Sequence, residues 1–322
     1  MDQIAKDEFS EVLKKRIFQS LGMAKAIDLG GFESFVFATE EEIVRVTHES
    51  HRDSEQLLAE MEFLDYLAAN AAAVCQPRKL PNNELVMSFD NFLVSVFARA
   101  PGDIVQTDDW HDSLFLKWGE AIGRFHRLAQ LYRPTHRRFS WREDENVVGI
   151  PSRLPDSQEK ARVIAETAIA NLEGLPSDNT LFGLVHGDAH PGNFHVNKGE
   201  LTFFDFDDAS YVWFAYDIAT VLFSAVLQRT VEATRQAQEA AAKEFLPYFL
   251  EGYSKEFSLP DFVFTELPNF LKLRELSLYA VVHQFLNVDQ LEDWFPEKFM
   301  QERQGRIEAG EPFLDLNFDQ FR

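Results

Sequence analysis

Cysteine is nearly absent from this sequence. Cys75 is the single cysteine among 322 residues, and one thiol cannot form a disulfide within the chain, so nothing here requires an oxidising compartment. Long apolar runs are missing too, since none approaches the roughly 20 residues that a helix needs to cross a bilayer. Residues 1–21 alternate charged and apolar side chains at helical spacing and lack the plan of a signal peptide. We therefore expect a cytoplasmic protein without a membrane partner.

Positive charge is also scarce. The chain has 31 Lys plus Arg against 53 Asp plus Glu, a net charge of −22, which opposes binding to nucleic acid or to an anionic membrane. The excess of acid would suit a cationic substrate, but a solvated acidic surface that favours solubility explains it equally, so it carries little weight here. By contrast, 31 Phe and an apolar content of 45% predict a large core in a globular chain long enough for two lobes.

The first part of the chain predicts an antiparallel sheet and a helix. After a first helix, residues 25–39 and 41–48 are rich in apolar and β-branched side chains and predict strands. Apolar residues recur at helical spacing from 53 to 70, with Glu60 beside the apolar face. Two more strand-like runs follow, and the sequence APGD from residue 100 then breaks the pattern. We place a lobe boundary there.

The remainder of the chain is predicted to be mostly helical. Helical periodicity covers residues 113–132, 157–175, 217–249 and 267–286, whereas residues 133–156 have the composition of a long connection. The predicted class is α+β. A small antiparallel-sheet lobe would span residues 1–99, and a larger, mostly helical lobe would span residues 100–322.

One stretch concentrates polar chemistry among apolar runs. Residues 184–208 read LVHGDAHPGNFHVNKGELTFFDFDD, which predicts a loop leading into a β-hairpin. If the hairpin folds back, Asp188 and Asn193 on the loop meet Asp205 near the end of the second strand. Mg²⁺ prefers oxygen ligands of this kind, together with water and phosphate. Asp188 would remain free to accept a proton from an attacking hydroxyl. Ordinary turn formation explains any one of these residues but not the ordered set.

These motifs resemble those of the aminoglycoside phosphotransferase and choline kinase-like superfamily, which includes type II homoserine kinases and shares the protein-kinase fold. HGDAHPGN resembles its catalytic loop, FFDFDD its metal-binding strand, and YDIA at residues 216–219 the start of the following helix. The resemblance spans about residues 20–290. It implies a two-lobed protein-kinase-like fold.

The resemblance also implies roles for individual residues. Asp188 matches the catalytic base, and Asn193 and Asp205 match the metal ligands. His186 and Asp217 match residues that brace the catalytic loop. Asp207 and Asp208 have no settled role in this comparison.

In the first lobe, the sequence GGFESFVF resembles the family's phosphate-covering hairpin, although two glycines between strands are also an ordinary turn. Glu60 matches the helical glutamate that pairs with a cation on a strand, but Arg45 stands where the family has lysine. Arginine keeps the charge and binds phosphate, yet its planar fork differs from a point charge. The ATP-binding candidates are Gly30, Gly31, Ser34, Arg45, Glu60 and the hinge residues Phe97, Ala98 and Arg99.

The acceptor site is the least readable part of the sequence. Polar residues in the last third of the chain could line a pocket, but core packing with a polar fringe explains the same pattern. The candidates are Asp208, Arg274, Glu275, Tyr279 and His283.

The predicted function is transfer of the γ-phosphoryl group of ATP, with Mg²⁺ as cofactor, to a hydroxyl of a small molecule such as an aminoglycoside, homoserine or a choline-like compound. Three alternatives remain: a protein kinase of the same fold, a non-catalytic nucleotide-binding regulator and an unrelated metal hydrolase. The short link from FDFDD to YDIA leaves little room for the activation segment of a protein kinase. The choice between ATP and GTP, and the oligomeric state, stay open.

Overall fold

An antiparallel sheet forms from the first strands of the chain in the computed structural model, which describes residues 3–231 and 234–322. The strands lie in the order β1-β2-β3-β6-β4, and β5 pairs with β6. Their bounds are β1 Ile27–Gly30, β2 Phe35–Ala38, β3 Glu42–His48, β4 Pro77–Arg78, β5 Met87–Phe89 and β6 Phe92–Ala98.

Strand β3 sorts its side chains between the two faces of this sheet. Val44 and Val46 pack in an apolar cluster with Leu13 and Ile17, and because successive side chains alternate, Arg45 points to the opposite face. Leu13 and Ile17 belong to a short helix rather than to one long N-terminal helix. The two N-terminal helices are α1 Gln3–Glu8 and α2 Glu11–Ser20. Helix α2 begins after Ser10, because the Ser10 hydroxyl caps it by accepting a hydrogen bond from the Leu13 amide at 3.2 Å.

Helix α3, Ser54–Ala69, connects the sheet to the rest of the molecule. It begins at a capping box formed by Asp53 and Gln56, and its start agrees with the helix predicted from residue 53 or 54. Phe63 is fully buried in the large apolar core that the helical region forms, and the Tyr66 hydroxyl donates to the Leu128 carbonyl at 3.2 Å. The helix that carries Glu60 is therefore fixed against the larger part of the molecule.

The remaining strands form two small sheets beyond residue 98. One has the order β10-β9-β7 and the other pairs β11 with β8. Their bounds are β7 Asp103–Ile104, β8 Phe182–Val185, β9 Phe194–Asn197, β10 Glu200–Phe203 and β11 Ser210–Trp213. The first sheet thus ends at Ala98, and the next strand already pairs with β9. The division into lobes at residues 1–99 and 100–322 stays a prediction.

Helices make up most of the rest, and the α+β class is confirmed. Their bounds are α4 Asp112–Leu131, α5 Glu145–Val148, α6 Ile150–Arg153, α7 Glu159–Leu172, α8 Phe214–Thr230, α9 Arg235–Ser254, α10 Asp261–Phe285, α11 Trp294–Met300 and α12 Arg303–Glu308. The predicted connection at 133–156 contains two short helices. The run at 217–249 is divided, because Thr234 caps the start of α9. Within the described residues, no helix is both long enough and apolar enough to span a membrane.

Candidate active site

The β9–β10 hairpin brings the predicted metal ligands to one end. Lys198 and Gly199 adopt left-handed conformations, with φ of 54° and 82°, which suits a tight two-residue turn. Phe194 pairs with Phe203, and the Phe204 amide donates to the Asn193 carbonyl at 3.0 Å. Asn193 therefore lies beside the residue that precedes Asp205. The hairpin folds back as the sequence analysis required.

The loop from residue 186 to residue 193 is held by contacts with residues from other parts of the chain. Gly187 has φ of 83°, and a Cβ atom there would lie 2.3 Å from the Asp208 carbonyl oxygen, so a side chain has no room. Its amide donates to Asp217 Oδ1 at 3.0 Å. His126 Nε2 lies 3.0 Å from the other oxygen of that carboxylate, and His186 Nε2 lies 3.2 Å from the Phe204 carbonyl. His186 and Asp217 thus make contacts of the bracing kind, and that role stays a prediction.

Asp188 projects from this loop between cationic and amide groups. Its Oδ1 accepts a hydrogen bond from Arg274, while His190 Nε2 and Asn193 Nδ2 lie 3.3 Å and 3.4 Å from its Oδ2. Burial by itself would raise the pKa of Asp188, but Arg274, followed by His190, more than offsets this and holds the pKa below its ordinary value. Asp188 is therefore a carboxylate at neutral pH.

Asn193 and Asp205 fit a hard divalent cation. The Asn193 side-chain amide donates to the Asp188 carbonyl at 2.9 Å, which leaves its oxygen as the atom that can bind a cation. Asp205 has φ of 62°, an uncommon conformation for a residue with a side chain, and its side chain is 54% exposed to the cleft. Desolvation raises its pKa, Arg45 opposes this rise, and Asp207 and Glu60 add to it. Because the ionised form of Asp205 is disfavoured here, a bound cation would stabilise it.

The ion pair that the sequence predicted between Arg45 and Glu60 is present. Arg45 Nη2 lies 2.6 Å from Glu60 Oε2, and the two side chains are 8% and 0% exposed. Arg45 Nη1 lies 3.9 Å from a carboxylate oxygen of Asp205 and, equally, 3.9 Å from one of Asp207, distances too long for hydrogen bonds. The buried Arg45 Nε has no hydrogen-bond partner among the described residues. Glu60 thus positions a guanidinium that retains donors for a further ligand.

A cavity of about 360 Å³ lies between the first sheet and the β9–β10 hairpin. Its walls are largely apolar, and at one end it reaches Asp205. The lining residues include Leu29, Val36, Ile43, Arg45, Cys75, Phe97, Ala98, Arg99, Ala100, Phe204 and Asp205. The predicted hinge residues Phe97, Ala98 and Arg99 are therefore at this cavity. The Ala98 amide already donates to the Gln76 carbonyl, and the Arg99 amide to the Glu41 carbonyl, each at 2.8 Å.

The predicted phosphate-covering loop joins β1 to β2. Gly30 and Gly31 have φ of 75° and 151°, and a Cβ atom on Gly31 would lie 2.0 Å from the Ser34 carbonyl oxygen, so glycine is required there. The Ser34 hydroxyl is buried and lies 2.9 Å from the hydroxyl of Thr47 on strand β3. At the tip of the loop, the Phe32 ring packs edge-on against Phe285 of α10, with centroids 4.8 Å apart.

A second cavity, of about 440 Å³, contains Asp188, Asn193 and Asp205. Its lining includes the acidic residues Glu33, Asp207 and Asp208 together with several apolar side chains. The apolar lining is provided by Phe32, Phe223, Leu227, Leu278, Val281, Phe285 and Phe295. Burial and the neighbouring carboxylates raise the pKa of Asp208 well above its ordinary value.

Of the predicted acceptor residues, Asp208 and Arg274 line this cavity, and the other three are directed elsewhere. Glu275 is 1% exposed and pairs with Arg303 and Lys272. Tyr279 donates to Gln158 Oε1 at 2.7 Å, and His283 lies 3.3 Å from the same glutamine. The structure does not bring Glu275, Tyr279 and His283 to this cavity, because a different face of α10 lines it.

Sequence reasoning missed a polar cluster around Asp207. His51 Nε2 lies 2.7 Å and Arg52 Nη2 3.1 Å from Asp207 Oδ2, and Glu33 lies 3.5 Å from His51. Burial would raise the pKa of Asp207, but Arg52 and His51 lower it well below its usual range. Glu33, His51 and Asp207 bring potential metal ligands within 4.8 Å of one another, but Arg52 already balances the charge of Asp207. No short motif marks these contacts, which join residues about 155 positions apart.

The sequence also matches a known family. Residues 26–255 match the model of the phosphotransferase enzyme family. The chain belongs to that family. It is 32% identical over 284 residues to amicoumacin kinase of Bacillus subtilis (strain 168), covering 86% of this chain and 83% of that protein. The predicted superfamily is confirmed, and the chain is a small-molecule phosphotransferase.

Solved structures agree with this assignment. The phosphotransferase superposes on amicoumacin kinase hAmiN in complex with AMP-PNP, Ca²⁺ and Ami, with a TM-score of 0.90, 26% identity and full coverage of both chains. It also resembles a microcompartment-associated aminopropanol kinase, with a TM-score of 0.71 and coverage of 93% and 96% of the two chains. At 18% identity, the second likeness concerns the fold alone. The predicted two-lobed kinase-like fold is confirmed.

Proposed function

We propose that this phosphotransferase moves the γ-phosphoryl group of ATP to a hydroxyl of a small amphipathic molecule. One observation carries the proposal: Asp205 lines both cavities. The first cavity has apolar walls suited to a nucleobase, and the second contains Asp188. A triphosphate that extends from the first cavity past Asp205 would therefore direct its terminal phosphate toward Asp188.

Separate groups of residues would bind the nucleotide, hold the metal ion and orient the acceptor. Phe97 and the other apolar residues of the first cavity would hold the adenine, and Arg45 would donate to the phosphates from a position that Glu60 fixes. Asn193 and Asp205 would hold Mg²⁺. When bound, Mg²⁺ supplies positive charge that neutralises the phosphate oxygens. Asp188 would orient the acceptor hydroxyl and take up its proton.

The second cavity supports an acceptor with both an apolar part and an amino group. Phe223, Phe285 and Phe295 are among its lining residues, and a ring or alkyl group would be buried against them. Glu33 and Asp208 also line it, and because burial raises the pKa of both side chains, a bound ammonium group would stabilise their ionised forms. Two similar proteins are amicoumacin kinases, so amicoumacin is the first acceptor to test.

A peptide acceptor is less well supported. Asp205 is separated from the start of α8 by residues 206–213, and Ser210–Trp213 of that segment form β11. The segment is thus short and paired to β8, without the long loop that positions peptides in protein kinases. ATP as the phosphoryl donor is consistent with a cytoplasmic location, which we also propose.

The function is tested by acceptor-dependent release of ADP. The purified chain is incubated with Mg-ATP and one compound at a time from a panel of amicoumacin, 1-amino-2-propanol, homoserine, choline and an aminoglycoside. The release of ADP is assayed, and the masses of the products are measured by mass spectrometry. We expect ADP release together with a product heavier by one phosphoryl group. ADP release at the same rate without any acceptor would instead indicate a hydrolase.

Replacement of Arg45 tests the phosphate site. Arg45→Ala is expected to weaken Mg-ATP binding or lower kcat/KM by roughly 10- to 100-fold, since hydrogen bonds to charged groups are worth about 1.5–3 kcal/mol. Arg45→Lys should retain part of the activity, because it keeps the charge but loses the planar fork. Calorimetry gives the affinity and initial rates give kcat/KM.

The matched control is Arg16→Ala, which removes an arginine from an exposed ion pair between α2 and Asp90 in the β5–β6 turn. It should leave both parameters unchanged. Thermal unfolding of each variant shows whether loss of the buried partner of Glu60 has destabilised the protein. If folded Arg45→Ala binds and turns over ATP like the wild type, the phosphates are held by another cation.

A further inference from the structure

Arg274 reaches the catalytic loop from a distant part of the chain. It lies on α10, 86 residues beyond Asp188, and donates from Nη2 to Asp188 Oδ1. The two side chains are 15% and 19% exposed, and both line the second cavity, which we propose holds the acceptor. The pair therefore lies at the wall of the cavity and not in the apolar core.

A comparison on the same helix separates this pair from a structural one. The adjacent residue, Glu275, pairs with Arg303 on the other side of α10, and those side chains are only 1% and 3% exposed. That pair joins α10 to α12 within the protein interior. Arg274 instead joins α10 to the loop that carries the proposed catalytic base, and its buried Nε has no hydrogen-bond partner among the described residues.

The contacts on the Asp188 carboxylate are unequal. Arg274 makes the close contact on Oδ1, whereas the contacts from His190 and Asn193 to Oδ2 are longer, at 3.3 Å and 3.4 Å. Distances near the upper limit for hydrogen bonds leave Oδ2 weakly held. The contact on Oδ1 restricts rotation of the carboxylate, and Oδ2 is the oxygen whose contacts are the longer ones.

We propose that Arg274 is a positioning residue, which fixes the carboxylate of Asp188 through Oδ1 and presents Oδ2 to the acceptor hydroxyl. This inference rests on the proposed function. In the step that it serves, the acceptor oxygen forms a bond to the γ-phosphorus, the bond from that phosphorus to the bridging oxygen of ADP breaks, and the hydroxyl proton passes to Oδ2. Because α10 also supplies Ser277, Leu278 and Val281 to the cavity, one helix both holds the acceptor and orients the base.

Three measurements on Arg274 variants test the proposal. Arg274→Ala should lower kcat by roughly 10- to 100-fold, the size of effect that loss of alignment at a reacting group produces, while KM for ATP changes less than about 2-fold. Arg274→Lys should recover part of kcat, since the cation remains but the fork geometry does not. Added methylguanidinium should restore activity to Arg274→Ala and should have no such effect on Asp188→Asn.

The control is Arg142→Ala, which removes an arginine from an exposed pair with Glu173 and should behave like the wild type. An unchanged kcat in Arg274→Ala would overturn the inference, as would a change confined to KM for the acceptor, which would make Arg274 a binding residue. Parallel losses in ATP affinity and thermal stability, without methylguanidinium rescue, would show a structural role and overturn it as well. A wild-type chain that phosphorylates no acceptor would overturn the proposed function together with this inference, whereas an active wild type with an equally active variant overturns the inference alone.

Discussion

Asp188→Asn is expected to lower turnover by roughly two to four orders of magnitude, the usual contribution of a general base. Asparagine keeps the size and much of the hydrogen bonding of the side chain but cannot take up the hydroxyl proton. Asp188 lines the second cavity, proposed for the acceptor, and is not part of the lining of the first, proposed for the nucleotide. Mg-ATP affinity should therefore change little.

Single-turnover rates and calorimetric affinities separate these effects once an acceptor is known. Asp156→Asn provides the matched control, because it makes the same substitution at a fully exposed carboxylate that pairs with Arg162. It should leave both measurements unchanged. Weaker ATP binding in Asp188→Asn with an unchanged chemical rate would place Asp188 in the nucleotide site and contradict the mechanism.

Asp205→Ala is expected to abolish the dependence of ATP binding on metal. The wild type should bind ATP at least roughly 10-fold more tightly with Mg²⁺ than with a chelator, because loss of groups that support a metal commonly costs 10- to 100-fold in metal affinity. The variant loses a proposed ligand of Mg²⁺, so its affinities with and without the ion should converge. Turnover should fall with them, since Asp205 lies where the two cavities meet.

Calorimetric titration with ATP, in Mg²⁺ and in chelator, measures this difference directly. Asp65→Ala removes an exposed carboxylate from α3 and should retain the full metal dependence. Equal wild-type affinities in the two buffers would refute the assignment of Asn193 and Asp205. A wild type that binds Mg-ATP but turns over none of the acceptors would favour the regulator alternative.

The catalytic stretch could be recognised from the sequence because its parts are close together in the chain. The spacing of Asp188, Asn193 and Asp205 in residues 184–208 allowed a single hairpin to bring them together, and local turn chemistry at Lys198 and Gly199 makes that hairpin. The Arg45–Glu60 pair could also be predicted, because the family resemblance matches both positions and helical periodicity independently places Glu60 beside the apolar face of its helix. Their roles in binding ATP and metal stay predictions.

The acceptor site could not be read in the same way. Helix α10 is buried on more than one face, so periodicity could not tell which face meets a cavity and which meets other helices. Glu275 and Tyr279 are polar residues, as Arg274 is, so polarity alone does not show which of them reaches a cavity. The partners of Glu275 and Tyr279 are Arg303 and Gln158, which lie in other parts of the chain. Only the packing of the helices against one another decides between these faces.

The cluster around Asp207 shows the same limit. Its partners His51 and Arg52 immediately precede the capping residue Asp53, and in sequence they look like an ordinary turn before a helix. Their contact with Asp207 arises because α3 packs on the core of the helical region. Such long-range packing leaves no short motif.

The proposed reaction, transfer of the γ-phosphoryl group of ATP to a small molecule through Asp188, can be followed with an isotopic label. The most direct test uses ATP labelled at the γ-phosphorus in a single turnover with amicoumacin, and follows where the label goes in the wild type and in Asp188→Asn. We expect the label to appear in the phosphorylated acceptor with the wild type and to be nearly absent from it with the variant. Label found only in inorganic phosphate, or equal transfer by the two proteins, would contradict the proposed reaction.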